Sequence, residues 1–223
     1  MREIVFDTET TGLDPLNGDR VVEIGCVELV NRVPTGRTFH AYINPERDMP
    51  RGAFEVHGLS TEFLADKPIF AQIAEDFCTF IGDAVMIAHN AMFDVRFLNA
   101  ELEKCGGPVI EMHRVSDTLA LARQKFPGAQ NSLDALCKRF AIDSSRRTLH
   151  GALLDSELLA EVYLELTGGR QVVLDLVETV SGGGLPIPQR AVEPPRPHQG
   201  SDAEYAAHAA FIAGIENAIW TQA

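Results

Sequence analysis

No run of apolar residues in this chain reaches the ~18 that a membrane-spanning helix requires. Hydrophobic residues nevertheless make up 45% of its 223 positions, enough to bury a sizeable core. The opening stretch, MREIVFD, lacks the charged, apolar and small-residue regions of a signal peptide, so a cytoplasmic protein is expected. The four cysteines, Cys26, Cys78, Cys105 and Cys137, include no CxxC pair. That argues against a zinc ribbon and fits buried thiols in a reducing compartment. Basic residues are scarce: 19 Lys and Arg stand against 32 Asp and Glu, for a formal net charge of −13. The basic footprint of most nucleic-acid binders is therefore missing. Any role on nucleic acid must work through a local site, a bound cation or a partner. There is no internal repeat. The length suits one domain of about 150–200 residues plus an appendage.

Residues 2–7, 20–31 and 36–44 read as strands, with Pro34 and Gly36 marking a turn between the last two. The spacing of Ile69, Ile73, Phe77 and Phe80 predicts a helix over 68–82, with Pro68 in its first turn. A short buried strand follows at 84–89, then a helix with Phe93, Phe97 and Leu98 inward and a stop at Gly106–Gly107. Two further helices are expected at 116–126 and 131–140, capped by Ser116 or Asp117 and by Asn131 or Ser132. A long helix over 150–169 closes the domain. This order predicts a mixed sheet covered by helices, an α/β layer fold. Residues 181–200 are rich in Gly and Pro and read as a semi-extended linker. A terminal helix capped by Ser201 is expected after it, with Phe211, Ile215 and Ile219 as an apolar stripe beside Trp220.

Four acids sit where carboxylates are awkward. Asp7 and Glu9 end a strand two residues apart, so they point to the same face. Like charges that close repel unless something holds them ionised together. Asp94 opens a helix directly after a strand, and Asp155 interrupts the apolar pattern of the last long helix. Each alone has a plain structural account: Asp94 as a first-turn acid favoured by the helix dipole, Asp155 as a solvent-facing residue. Together they have the donor type that hard divalent cations take. Two such ions can activate a water and stabilise the leaving oxygen of a phosphodiester. The chemistry also needs a proton acceptor, and His150, in a loop just before the helix carrying Asp155, is the candidate.

The stretches FDTETTG, HNAMFD and HGALLD resemble the three exonuclease motifs of the DnaQ-like (DEDDh) family of 3′→5′ exonucleases, over about residues 2–167. The tyrosine branch of that family would carry Tyr four residues before the last Asp. Here that position is Gly151, and His150 lies five before, which indicates the histidine branch. The resemblance implies an RNase H-like mixed five-stranded sheet flanked by helices, with a C-terminal linker and tail helix. It implies two divalent cations, Mg²⁺ or Mn²⁺, and a DNA 3′ terminus as substrate. Asp7, Glu9 and Asp155 would bind the first metal, Asp7 would bridge to the second, and Asp94 would support it directly or through water. His150 resembles the general base. Thr8, Thr10, Thr11 and Gly12 would let a nucleotide approach closely, and Leu13 would wedge against a terminal base. His57, Asn90 and Phe93 resemble other nucleotide-pocket residues, although His57 before a glycine turn also reads as a plain loop residue.

Members of this family that proofread for a bacterial replicative polymerase have a similar layout. It divides the chain into an exonuclease domain at 1–170, a linker at 171–200 and a polymerase-binding helix at 201–223. Gln171, Leu174 and Leu176 resemble a sliding-clamp motif, without the final aromatic such motifs often carry. Residues 172–180 also read as an ordinary amphipathic element. A small theta-like subunit is a further implied partner. A tethered subunit can be acidic, because its partner supplies the basic surface and the tether raises effective concentration. Two other readings are a stand-alone RNA or single-stranded DNA exonuclease and a silent scaffold. All four carboxylates and His150 are present, which argues against the scaffold.

Overall fold

A computed structural model describes residues 1–147, 149–168 and 200–215. The chain divides into two compact units, Met1–Leu174 and Asp175–Ala223. In the first unit the strands are β1 (Arg2–Thr10), β2 (Val21–Val30), β3 (Val33–Tyr42), β4 (Val85–Ala88) and β5 (Val115–Asp117). They form one mixed sheet in the order β3-β2-β1-β4-β5. β1 runs antiparallel to β2, which runs antiparallel to β3; β4 is parallel to both β1 and β5. This is the mixed five-stranded α/β sheet expected from the sequence. The helices are α1 (Arg51–His57), α2 (Thr61–Leu64), α3 (Phe70–Ile81), α4 (Met92–Lys104), α5 (Thr118–Lys125), α6 (Leu133–Phe140) and α7 (Ala152–Leu166).

Central strands with both faces covered read as nearly continuous apolar runs, and β1 shows why. Ile4 and Phe6 point into one core with Phe77 of α3 and Phe97 and Leu98 of α4. Val5 points into the other, with Leu136 of α6 and Leu159 and Val162 of α7. Burying one such side chain is worth about 1.5–3 kcal/mol, so the two cores clamp the middle of the sheet. Two helices depart from expectation. The buried stripe of α3 is Phe70, Ala74, Phe77 and Ile81, rotated from the predicted one, with Ile73 and Phe80 at its margin. Pro68 precedes that helix, and Ile69 is its N-cap. β5 occupies residues read as a helix start: Asp117 both ends the strand and caps α5, accepting from the Leu119 N–H. Ser132, not Asn131, caps α6. α1 and α2 fall in a stretch with Pro50, Gly52 and Gly58 and no clean period.

Two features aim the sheet at one crevice. β4 pairs with β1 only as far as Val5↔Ile87, while β1 continues to Thr10. The carboxyl end of β1 therefore stands clear of β4, the kind of switch point where open α/β sheets bind ligands. The β1–β2 register also shifts between Glu9 and Thr10, a bulge that bends the strand end. Gly25 of β2 lies opposite Asp7, and a Cβ there would sit 2.2 Å from the Leu153 backbone nitrogen. The Ser156 hydroxyl donates to the Gly25 carbonyl at 2.9 Å. The first turn of α7 thus lies directly on β2, and this places Asp155.

In the second unit, α8 (Asp202–Ala213) begins at Ser201, whose hydroxyl accepts from the Glu204 N–H while the Glu204 carboxylate accepts from the Ser201 N–H. This is a capping box. The helix ends at Gly214, so Ile215 falls beyond it instead of continuing a stripe from Phe211. Phe211 is 69% exposed. The expected positions Gln171, Leu174, Leu176, Ile219 and Trp220 lie outside the described residues. Among the described residues no helix is long and apolar enough to cross a membrane.

The contact at Gly25 is testable. Gly25→Val should push α7 off the sheet and lower stability by about 1–3 kcal/mol, the usual cost of overpacking. Gly52→Ala, in a helix with open space around it, should not destabilise. Thermal melts of the two variants check this; equal melting temperatures would remove Gly25 as the seat of α7.

Candidate active site

A cleft of about 260 Å³ opens between the end of β1, the start of α4 and the start of α7. It is lined by all five residues singled out as catalytic, Asp7, Glu9, Asp94, His150 and Asp155, together with Asn90 and Phe93. Two larger clefts have no comparable gathering of carboxylates.

β1 supplies both faces. Asp7 and Glu9 point toward α7. Thr8 points the other way, where its backbone N–H and its hydroxyl donate to Asp94 Oδ1 at 3.1 and 2.7 Å. Beyond the last β4 pair, Asp94 takes the backbone donor that a longer β4 would have used. The sharp turn from β4 into α4 runs through Asn90, whose φ of 68° lies in the left-handed region that Asn tolerates. Its N–H donates to Asp117 Oδ1 at 3.0 Å, which ties the start of α4 to the cap of α5. The His150 N–H donates to the Val56 carbonyl, fixing the loop before α7 against α1.

The electrostatics follow from crowding. Burial, then the charges of Asp94, Glu9 and Asp155, hold the Asp7 carboxyl well above the usual range, with Arg147 partly offsetting them. Glu9 is pushed from 4.5 to about 8, first by burial and then by Asp155, Glu23 and Asp94. Asp94 is raised to about 7 by burial, against the hydrogen bonds from Thr8. Asp155 goes the other way. Burial raises it, but hydrogen bonds from His150 and Arg147 and the Arg147 charge bring it below its ordinary value.

Arg147 is the residue that sequence reasoning missed. Its Nε and one terminal nitrogen grip both oxygens of Asp155 at 2.5 and 2.7 Å, and its other terminal nitrogen reaches Asp134 at 2.5 Å. Adjacent Arg146 is exposed and pairs with Glu157 at 3.7 Å, so the RR pair in sequence carries no hint of which arginine turns inward. Glu23 was also missed. It is buried opposite Glu9 in the β1–β2 register and bonds His40 Nε2 at 2.7 Å.

The donor set suits a divalent cation. Glu9, His150 and Asp155 each place one ligand atom within 4.8 Å of the other two. Acidic oxygens brought together in a cleft, several with pKa values raised by burial and by one another's charge, are what a hard cation relieves.

The expected nucleotide-pocket residues fare differently. Asn90 and Phe93 line the cleft, and Phe93 packs on Phe97 with ring centroids 5.0 Å apart. Thr8 also lines it, but its hydroxyl is engaged by Asp94. Thr10 donates to the Gly12 carbonyl, and Thr11 accepts from the Arg20 N–H and bonds Asp19. Gly12 lies close to the protein's own Asp19, whose carboxylate would have to shift to admit a Cβ 2.3 Å away. Leu13 is 80% exposed. His57 is buried outside the cleft lining; its Nδ1 accepts from the Leu59 N–H, and its Nε2 has no hydrogen-bond partner among the described residues.

The family model for exonucleases of the RNase T type matches residues 4–163. A DNA polymerase III subunit epsilon from Rickettsia felis is 58% identical over 181 residues, covering 80% of this chain and 79% of that protein. The chain belongs to the DNA polymerase III epsilon group of exonucleases. The Escherichia coli subunit epsilon is 49% identical over 176 residues, 76% of this chain and 72% of the relative. Among solved structures, exonuclease X in complex with 5′ overhanging duplex DNA superposes with a TM-score of 0.57 at 26% identity, over 74% of this chain and 90% of that one. The nuclease domain of 3′hExo, a DEDDh family member bound to rAMP, shares the fold with a TM-score of 0.62 at 17% identity, over 74% and 91%. The chain is accordingly a nuclease, and its family implies divalent metal ions.

The shifted carboxyls give a signed prediction. In the metal-free protein Glu9 and Asp94 keep protons that the unfolded chain releases near 4.5 and 3.8. Below those values their contribution to stability is fully present, and it is lost as pH rises through about 7 to 8. The metal-free melting temperature should therefore fall across this window, and the rise produced by Mg²⁺ should grow with pH. A Mg²⁺ effect that is the same at pH 5.5 and pH 8.5 would contradict the protonated cleft.

Proposed function

We propose that this chain is a cytoplasmic proofreading subunit that removes mismatched nucleotides from a DNA 3′ end by hydrolysis dependent on two divalent cations, Mg²⁺ or Mn²⁺. The observation that carries this reading is the convergence of Asp7, Glu9, Asp94, Asp155 and His150 from three elements in one cleft. Asp7, Glu9 and Asp155 would hold one cation, with Asp7 and Asp94 toward the second. When bound, the ions supply a nucleophilic water at neutral pH and stabilise charge on the reacting phosphate. His150, half-exposed at the cleft, takes the proton of the attacking water. Its Nδ1 lies 3.3 Å from Asp155 Oδ2, an acceptor able to orient the ring with Nε2 toward the substrate. The bond broken is that between phosphorus and the O3′ of the penultimate nucleotide, which releases a 5′-mononucleotide. Asn90 and Phe93, open to the cleft, would receive the terminal nucleoside, and exposed Leu13 would meet the neighbouring base. Selectivity would follow from a requirement for a single-stranded 3′ end, since a mismatched terminus costs less to unpair.

Thr8, Thr10, Thr11 and Gly12 support this pocket by shaping β1 and its turn. His57 holds the turn after α1. For partners, we propose the polymerase III alpha subunit for residues 201–223, with exposed Phe211 as one anchor and Ile215, Ile219 and Trp220 as others. The sliding clamp would take 171–176 through Gln171, Leu174 and Leu176, and a theta-like subunit would bind the exonuclease domain at 1–170. The linker at 171–200 would connect the two ends.

End-labelled single-stranded DNA should shorten one nucleotide at a time from its 3′ end, and a mismatched terminus should be removed faster than a matched one. Faster digestion of the matched RNA oligonucleotide would favour the RNA-trimming alternative. Asp7→Asn should abolish activity, and chelation should do the same until Mg²⁺ or Mn²⁺ is restored. His150→Ala should cost about 10²–10⁴-fold, the range of general-base assistance, while calorimetry still detects metal binding. Loss of metal binding in His150→Ala would make the imidazole a ligand.

Deleting 186–223 should leave hydrolysis of free oligonucleotides intact and abolish co-purification with the alpha subunit. Retained co-purification would move the polymerase contact elsewhere.

A further inference from the structure

Arg147 is nearly buried, with 9% of its side chain exposed, and the carboxylate it grips is 3% exposed. A guanidinium and a carboxylate meeting through two parallel hydrogen bonds form the strongest pairing available to either. Here that pairing occupies both oxygens of a residue in the cation cluster. The same guanidinium is anchored from the far side by Asp134, in the first turn of α6, which also lines the cleft. Its charge is the one cationic group of Lys or Arg type lining the cleft among the described residues, and it lies among five carboxylates. A divalent ion brought to Asp155 would meet this fixed positive charge at close range, and two cations sharing one carboxylate repel.

His150 adds a second observation. Its Nδ1 lies 2.8 Å from the Arg147 terminal nitrogen and 3.3 Å from Asp155 Oδ2. The arginine can only donate there, so that contact needs a bare Nδ1 and puts the ring proton on Nε2. The Asp155 oxygen can only accept, which needs the proton on Nδ1 and leaves Nε2 bare. A ring held by Arg147 therefore presents the wrong nitrogen for taking a proton through Nε2, and a ring held by Asp155 presents the right one.

We propose that Arg147 is a built-in counter-ion: in the metal-free protein it stands in for the cation at Asp155, and cation binding proceeds by exchange, in which the guanidinium gives up its grip on Asp155 and on His150. The proposal rests on the reading that Asp155 is a metal ligand. It makes Arg147 a positioning residue that sets the threshold for metal loading and couples loading to the orientation of the general base.

The test is calorimetric titration of the full chain with Mn²⁺ alone, beside thermal melts without metal. Arg147→Met should bind Mn²⁺ about tenfold more tightly, the size of one lost close repulsion. Its metal-free melting temperature should fall, and its rise on adding Mn²⁺ should exceed that of the parent protein. Arg147→Met that binds Mn²⁺ equally or more weakly would overturn the exchange. Asp155→Asn separates the two layers. If it binds Mn²⁺ like the parent, the ligand reading fails. If it loses Mn²⁺ while Arg147→Met changes nothing, only the counter-ion proposal fails. A measurement on the unaltered protein covers the case in which Arg147→Met does not fold. The Arg147 Nε–H resonance should be protected from exchange without metal, and should shift and lose protection on saturation with Mg²⁺. A resonance that stays in place while Mg²⁺ binds would also overturn the proposal.

Discussion

Burial of Asp7, Glu9, Asp94 and Asp155 in one cleft, with repulsion between several of them added to it, is the constraint around which this structure is arranged. Four carboxyls drawn from three elements into one cleft cannot all remain ionised on their own, and the metal-free protein solves this in three ways at once. Protons stay on Glu9 and Asp94 into the neutral range. Thr8 spends its backbone N–H and hydroxyl on Asp94. Arg147 covers Asp155. Each device is local, made by one or two side chains beside the carboxyl it serves. The arrangement costs the fold some stability, as sites that gather like charges generally do.

The scaffold answers the same constraint mechanically. β1 is held on one side by the long antiparallel ladder to β2 and on the other by a short parallel pairing to β4. The cores clamp its middle, and its cleft end keeps only the β2 partner, which leaves the β4 side open to Asp94. Gly25 lets α7 lie against β2 with no side chain between, and Ser156 locks that approach. Asp155 is thereby carried to the strand bearing Asp7 and Glu9 by contacts that include no carboxylate of the site.

Much of this was legible in the sequence, for identifiable reasons. Strict alternation along a strand placed Asp7 and Glu9 on one face, and the strand-to-helix junction before Asp94 survives as drawn. Asp155 in an apolar helix was suspicious only in company. Features that depend on partners distant in the chain were not legible. Arg147 is indistinguishable from Arg146 until α6 and α7 are brought together. β5 is three residues long and shares Asp117 with a helix cap, so propensity could not separate strand from cap. Gly12 was read as leaving room for a nucleotide; in the structure its neighbour is the protein's own Asp19 side chain, a partner seven residues on that the motif does not reveal. The α8 stripe assumed a helix continuing past Gly214, where the chain instead finds its cap.

The direction of α7 has a consequence of its own. The helix starts at the cleft and runs away from it, with Tyr163 bonded to Glu3 at the opposite end of β1. From Asp155 to Thr167 the axial rise is about 18 Å. One helix is thus fastened near both ends of the central strands, by Ser156 to Gly25 and by Tyr163 to Glu3, so the bearing of Asp155 is set over the whole length of β1 and not at the cleft alone.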